Sequence, residues 1–392
     1  MSLYPYSNGG TPGQLTDDFS RIVHLFSEAV DAIQLHAQQK AMTNGGQPST
    51  NANGMPASAA PNELVVYDKD GDLTIRVGSR LRPYRVDSKT LSRSSPVFKR
   101  MLFGGFAESR PSDGGDWVVD LPDDRSASME ILFRIVHGAF EMVPTQLSLG
   151  DLYTVLAHTE KYDATRLLRP WAKTWLHNPV VRNQTGEPEL LCVAWELGDS
   201  DLFRQVMEAM TNECYIDMKG NVLCGKRRMF YGPHNDLRFT PPEFLFKNLV
   251  CLVPPDMEGI VSSNRKRLVA AELEPYVNLY AASRSTRCKQ VHSRDGWKCD
   301  SQVLGSLIKS LSGAGVDITN PNIVEVYRGS VANLRRALDH AHIETFCSDC
   351  AQSIPLALGE GKAKAALLRA EITTVQDGHR KYLESQARKT GL

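Results

Sequence analysis

VDSKTLSRSSPVFKRMLFGGFAES, residues 86–109, carries the pattern on which the architecture turns. It starts a helix after Val86-Asp87, breaks at Ser95-Pro96, and resumes as a short apolar helix through Val97, Phe98, Met101 and Leu102. Proline removes a backbone donor and disfavours a helical residue before it, so the spacing predicts two helices rather than one. Gly104-Gly105 then lets the backbone turn and present Phe106 and Glu108 outward.

Upstream, LVVYD (64–68) and DLTIRV (72–77) are short β-rich runs separated by Lys69-Asp70-Gly71, which predicts a hairpin over 64–77. Asp68, Asp70 and Asp72 lack the spacing and closing Glu of a calcium loop, so they read as a turn. Downstream, WVVDLP (117–122) reads as a strand, and 126–140 and 148–177 read as helices, the second restarting or kinking at Pro170. Val86, Leu91, Val97, Phe98, Met101, Leu102, Ile131, Leu132, Ile135, Leu152, Val155 and Leu156 can form one core. Burying about a dozen such side chains contributes on the order of 20–30 kcal/mol before entropy is subtracted. The expectation is an α+β domain over 64–178, a small sheet flanked by helices.

After Pro179 the pattern is mainly helical to the end, giving a second domain over 179–392. Helices are predicted at 187–198, 200–214, 256–282, 300–312, 329–345 and 362–388, with 221–246 irregular. At the other end, 1–14 read as a disordered tail and 42–62 as a flexible linker. Between them, Phe19, Ile22, Val23, Phe26, Val30 and Ile33 recur at helical steps, so 15–41 read as an amphipathic helix. Its apolar stripe needs a partner surface, and self-association would supply one.

The 392 residues balance 45 Lys+Arg against 45 Asp+Glu, which argues against a nucleic-acid partner for the chain as a whole. No apolar run reaches the length of a membrane span, and MSLYPYSNGG is not a secretory leader. The expectation is an intracellular protein, nuclear or cytoplasmic, with reduced cysteines. Motifs for a nucleophile elbow, a zinc protease and a phosphate loop are missing; Gly359-Glu360-Gly361-Lys362 lacks the rest of the last. His137 and His158 lie in apolar helical contexts and read as structural. The triplets Lys226-Arg227-Arg228 and Arg265-Lys266-Arg267 read as solvated faces ahead of import or phosphate contacts.

The cysteines carry more. Cys347-x-x-Cys350 has the reach of half a tetrahedral zinc site, and Cys288 and Cys299 can supply the other half, with a histidine (His292, His340 or His342) able to replace one thiolate. The competing expectation is four small buried thiols in a helical bundle. No cofactor beyond this structural zinc is expected.

Residues 72–176 resemble a BTB/POZ domain, in the form common among uncharacterised fungal proteins. The landmarks, in order, are DLTIRVG with Asp72, the helix pair with Asp87, Leu91, Ser95, Pro96 and Phe98, the turn FAES (106–109), the strand WVVDLPDD, the helix MEILFRIVHGAFE with Gly138, and the closing helices in 152–176. The resemblance implies a non-enzymatic module that binds other proteins. In family members that recruit cullin scaffolds, an apolar-x-Glu element lies at this turn, which here is Phe106-Ala107-Glu108. The resemblance therefore implies a substrate adaptor of a cullin-type ubiquitin ligase, the alternative being a scaffold or transcriptional co-regulator without a ligase.

Overall fold

The computed structural model describes residues 63–392, apart from 225–228, 232–236, 240–242, 245–248, 250, 286–287, 289–292 and 373–374. The expected tail, amphipathic helix and linker of 1–62, the triplet Lys226-Arg227-Arg228 and His292 lie outside the described residues.

β2 (Leu73–Val77) and β3 (Arg82–Val86) pair antiparallel, from Leu73 opposite Val86 to Val77 opposite Arg82. β4 (Val118–Leu121) joins β2 in parallel, and β1 (Val65–Val66) joins β3 in parallel, giving the order β1-β3-β2-β4. This corrects the hairpin expected over 64–77: β1 and β2 flank β3 instead of each other. The reason lies at Asp68–Gly71, where the Gly71 N–H donates to the Asp68 carbonyl at 3.2 Å. A Cβ on Gly71 would come within 2.7 Å of the Val86 carbonyl oxygen, so glycine lets the chain cross the end of β3. The Asp72 carboxylate then accepts the Ser88 N–H and hydroxyl at 2.9 and 3.0 Å, tying β2 to the next helix. β3 escapes a sequence reading because Pro83 and two arginines interrupt it, yet Tyr84 and Val86 alternate into the core, fully buried.

The helix pair forms as its sequence dictates. Asp87 caps α1 (Ser88–Ser94) by accepting the Thr90 N–H at 2.6 Å. Ser95 caps α2 (Pro96–Phe103), accepting the Phe98 N–H at 3.0 Å, with Pro96 at the first helical position. The Ser95 hydroxyl also donates to the Tyr162 carbonyl at 2.5 Å, and the Phe98 ring stacks on Tyr162 at 4.2 Å. α3 (Ser126–Val136) stops short of the expected 140 because Gly138 turns the chain at φ 76°. α4 (Leu149–Lys161) and α5 (Arg169–Leu176) follow, with the restart at Pro170.

Beyond residue 178 come α6 (Pro179–Arg182), α7 (Pro188–Leu197) and α8 (Ser200–Glu213). The stretch expected to be irregular holds short strands: β6 (Val222–Cys224) pairs with β5 (Tyr215–Ile216) and β9 (Glu243–Phe244), and β7 (Met229–Tyr231) pairs with β8 (Leu237–Phe239). The chain then forms α9 (Met257–Arg284), α10 (Ser293–Gly313), α11 (Ile323–Val326), α12 (Val331–Asp339), α13 (Ser348–Ile372) and α14 (Asp377–Thr390). The helix expected at 362–388 is thus two, and the first begins before Pro355. That proline is exposed, so the carbonyl it leaves unpaired can be hydrated.

Among the described residues there are three apolar clusters. The sheet packs with α1, α2 and α3 through Ile75, Tyr84, Leu91, Phe98, Leu132 and Phe133. A second cluster runs across residue 178, joining Ile135, Leu152, Leu156 and Trp175 to Leu191, Phe203, Val206 and Leu383. The twelve side chains expected to form one core therefore divide between these two. α14 closes the second cluster: its Tyr382 ring stacks on Trp195 at 4.1 Å and its hydroxyl donates to Glu196 at 2.8 Å. The third cluster, around α9, α10, α12 and α13, includes Leu273, Leu307, Leu334 and Ile354.

Candidate functional site

Two features stand apart from packing. The first is the turn after α2. Gly105 adopts φ 80°, and its N–H donates to the Ser109 hydroxyl at 3.1 Å, while the Ser109 N–H closes onto the Phe106 carbonyl at 3.0 Å. The Trp117 indole N–H, beside β4, donates to the Glu108 carbonyl at 2.8 Å. A hydrogen-bonded frame thus fixes residues 105–109. On it, Phe106 is 43% exposed and Phe103 50% exposed, and Glu108 is half-buried. Phe106 belongs to none of the three clusters, so it does not cap the core. Sequence reading missed Phe103, whose ring meets Trp117 edge-on at 5.8 Å, although an aromatic residue directly before Gly-Gly was a signal. The other landmarks have internal tasks: Asp72, Asp87 and Ser95 hold the hydrogen bonds above, Leu91 and Phe98 are buried, and Pro96 and Gly138 start and stop helices.

The histidines are structural in geometry. The His137 Nε2 accepts the Asp87 N–H at 3.1 Å and its Nδ1 lies 3.0 Å from the Phe133 carbonyl. The His158 Nε2 accepts the Arg125 N–H at 2.9 Å and its Nδ1 lies 2.7 Å from the Thr154 carbonyl. Each ring is therefore neutral with the proton on Nδ1, and burial pushes both below the ordinary histidine range. Of the remaining sequence features, Gly359-Glu360-Gly361-Lys362 lies inside α13, with Lys362 paired to Asp339 at 2.7 Å. Arg265 is buried on α9 with its guanidinium on the Tyr327 and Gly329 carbonyls, and Lys266 pairs with Glu325 at 2.6 Å.

The second feature is the cysteine cluster. Cys288 lies between α9 and α10, Cys299 on α10, Cys347 just before α13 and Cys350 in its first turn. All four sulfurs lie within 4.8 Å of one another, and the four residues can hold a metal ion. The Cys347 Sγ is 3.5 Å from the Cys288 Sγ and 3.7 Å from the Cys299 Sγ. A disulfide would bring a pair to about 2.0 Å. Four thiolates at about 2.3 Å from a central zinc would stand about 3.8 Å apart, so the observed spacing fits a tetrahedral shell. The Cys350 N–H donates to the Cys347 Sγ at 3.4 Å, and this bond brings the Cys347 thiol down to about 7. Burial pushes Cys350 up instead. Among the described residues no substituting histidine is brought in: His340 and His342 are exposed, and the His340 Nδ1 lies 2.7 Å from the Arg336 carbonyl.

Cys192 and Cys214 are buried in the second cluster, and Cys251 lies 3.3 Å from the Tyr153 hydroxyl. Among the described residues no helix is long and apolar enough to cross a membrane. None of the family models, curated proteins or solved structures compared with the chain matches it.

Proposed function

We propose that the chain is a non-enzymatic protein-interaction protein, in which a BTB/POZ-type module over 64–178 carries the contact surface and the helical remainder presents or positions a target. Its partner at the module is a cullin-type scaffold, which makes the chain a ligase adaptor. The observation that carries this reading is the exposed Phe106 on a hydrogen-bonded turn, with Glu108 on the same turn and the exposed Phe103 at the end of α2 before it. A turn whose backbone is already fixed by hydrogen bonds loses less entropy on binding, and aromatic anchors dominate interface energies. The element order supports the module: first strand, helix pair split at Ser95-Pro96, turn, strand, glycine-ended helix and closing helices follow the order the family resemblance implies.

The cysteine cluster holds structural zinc. Four sulfur donors leave no open coordination position, which suits a staple and not a catalyst. Purified protein kept reduced should carry one zinc per chain; far less than one returns the cysteines to the role of core thiols.

Binding is tested by a Phe106→Ala, Glu108→Ala double variant. It should fold as wild type and lose cullin binding by about thirtyfold, the effect of removing about 2 kcal/mol. Wild-type protein that binds no cullin at micromolar concentration removes the ligase and leaves a scaffold.

A further inference from the structure

The four cysteines are not equivalent. Cys288 and Cys350 are each 7% exposed and Cys299 is fully buried, whereas Cys347 is partly open to solvent. Cys347 is therefore the residue of the four most open to a small solute arriving from water. Its sulfur lies 3.5 Å from the Cys288 sulfur and 3.7 Å from the Cys299 sulfur. The backbone separates the possible partners further. Cys299 lies within α10 and Cys350 in the first turn of α13, where helical hydrogen bonds fix their positions, while Cys288 and Cys347 both lie outside helices. Closing 3.5 Å to a disulfide requires about 1.5 Å of movement, which two residues outside helices can supply with least loss.

We propose that Cys347 is a modification site for peroxide-class oxidants, that Cys288 is its resolving thiol, and that the disulfide they form expels the metal. The proposal rests on the four-thiolate zinc reading above. In the first step the Cys347 thiolate sulfur attacks one peroxide oxygen; the O–O bond breaks, hydroxide leaves, and the sulfur becomes a sulfenic acid. In the second step the Cys288 thiolate attacks that sulfur; the S–S bond forms, the S–O bond breaks, and a second hydroxide leaves. Two thiolates have given up two electrons, and hydrogen peroxide with two protons has become two waters. Cys299 and Cys350 alone cannot complete a tetrahedral site, so zinc departs.

The consequence is local. Cys288, Cys299 and Cys350 belong to the third cluster together with Ile354 and Leu307, so losing the metal loosens the start of α13 against α10. The module at 64–178 draws on the other two clusters and keeps its surface. Oxidation would thus alter the target-presenting half without touching the Phe106 turn.

The test uses the full chain as purified, titrated with hydrogen peroxide beside a chromogenic zinc indicator. A dimedone trap and mass-spectrometric disulfide mapping follow the thiols. The proposal expects zinc release in step with a Cys288–Cys347 disulfide, and sulfenic labelling at Cys347 about tenfold above the other three cysteines. A thiol reductant with added zinc should restore the starting state. Cys288→Ser should leave the Cys347 sulfenic acid unresolved and raise its labelling; because that variant can lose its metal for other reasons, the wild-type disulfide map decides. Zinc retained at excess peroxide overturns the proposal, as does a Cys347–Cys350 disulfide as the main product. If the protein is isolated without zinc, the zinc reading fails separately, and the same map on the metal-free chain still upholds or overturns the Cys288–Cys347 pairing.

Discussion

Gly198 is where the end of the chain locks onto its middle, and replacing it with alanine tests that lock. The residue ends α7 in the left-handed region at φ 85°. An alanine there pays about 1–2 kcal/mol of backbone strain. The larger cost is steric: its Cβ would collide with the Ala387 backbone nitrogen and sit 2.6 Å from the Leu383 carbonyl oxygen, both on α14. Backbone cannot rotate aside as a side-chain tip can, so α14 must shift. Leu383 is fully buried, and emptying such a site costs about 2–5 kcal/mol. The Thr390 hydroxyl bond to the Leu197 carbonyl, at 2.6 Å, weakens with it. Together Gly198→Ala should cost about 3–7 kcal/mol, a large part of a typical stability of about 5–15 kcal/mol. Gly220→Ala is the control, since Gly220 has φ 87° with nothing within 4 Å of a Cβ and should show the strain alone. Urea denaturation of both variants gives the difference, and hydrogen exchange over 377–390 shows whether α14 is released. A difference under about 1 kcal/mol between the two variants refutes the lock.

Two further outcomes follow from the packing and the buried histidines. A fragment ending at residue 178 strips Leu152, Leu156 and Trp175 of their partners on α7, α8 and α14, so it should bind a hydrophobic dye and melt well below the full chain; a dye-free fragment with a cooperative transition close to that of the full chain contradicts the shared cluster. For His158, burial lowers the folded-state pKa below its unfolded value near 6.5, so its contribution to stability is complete above that pH and is lost as pH falls toward the folded value. Stability should therefore drop below pH 6.5 by up to about 1.4 kcal/mol per pH unit for this group, and His158→Gln should flatten that slope; an unchanged slope in the variant denies His158 the role.

The sequence by itself determined the local grammar of the module. Ser95-Pro96 split the helix pair and Pro170 restarted the closing helix, because proline geometry acts within a few residues. It also pointed to the four cysteines that cluster, of which Cys347-x-x-Cys350 is the short-range signal. What tertiary structure decided depends on distance along the chain. The pairing of β1 with β3 was hidden because strand partners are chosen across the sheet, and the steric room at Gly71 is visible only when Val86 is beside it. Pro355 lies inside α13 and outside both helices expected at 329–345 and 362–388, and its exposure removes much of the cost of a proline there. The core that crosses residue 178 could not be read either: α3 sends Leu132 into one cluster and Ile135 into another, and no periodicity records which neighbour a buried face will meet. The cysteine cluster joins residues up to 62 positions apart, and only the packing of α10 and α13 against α9 sets their sulfurs at metal-binding distance.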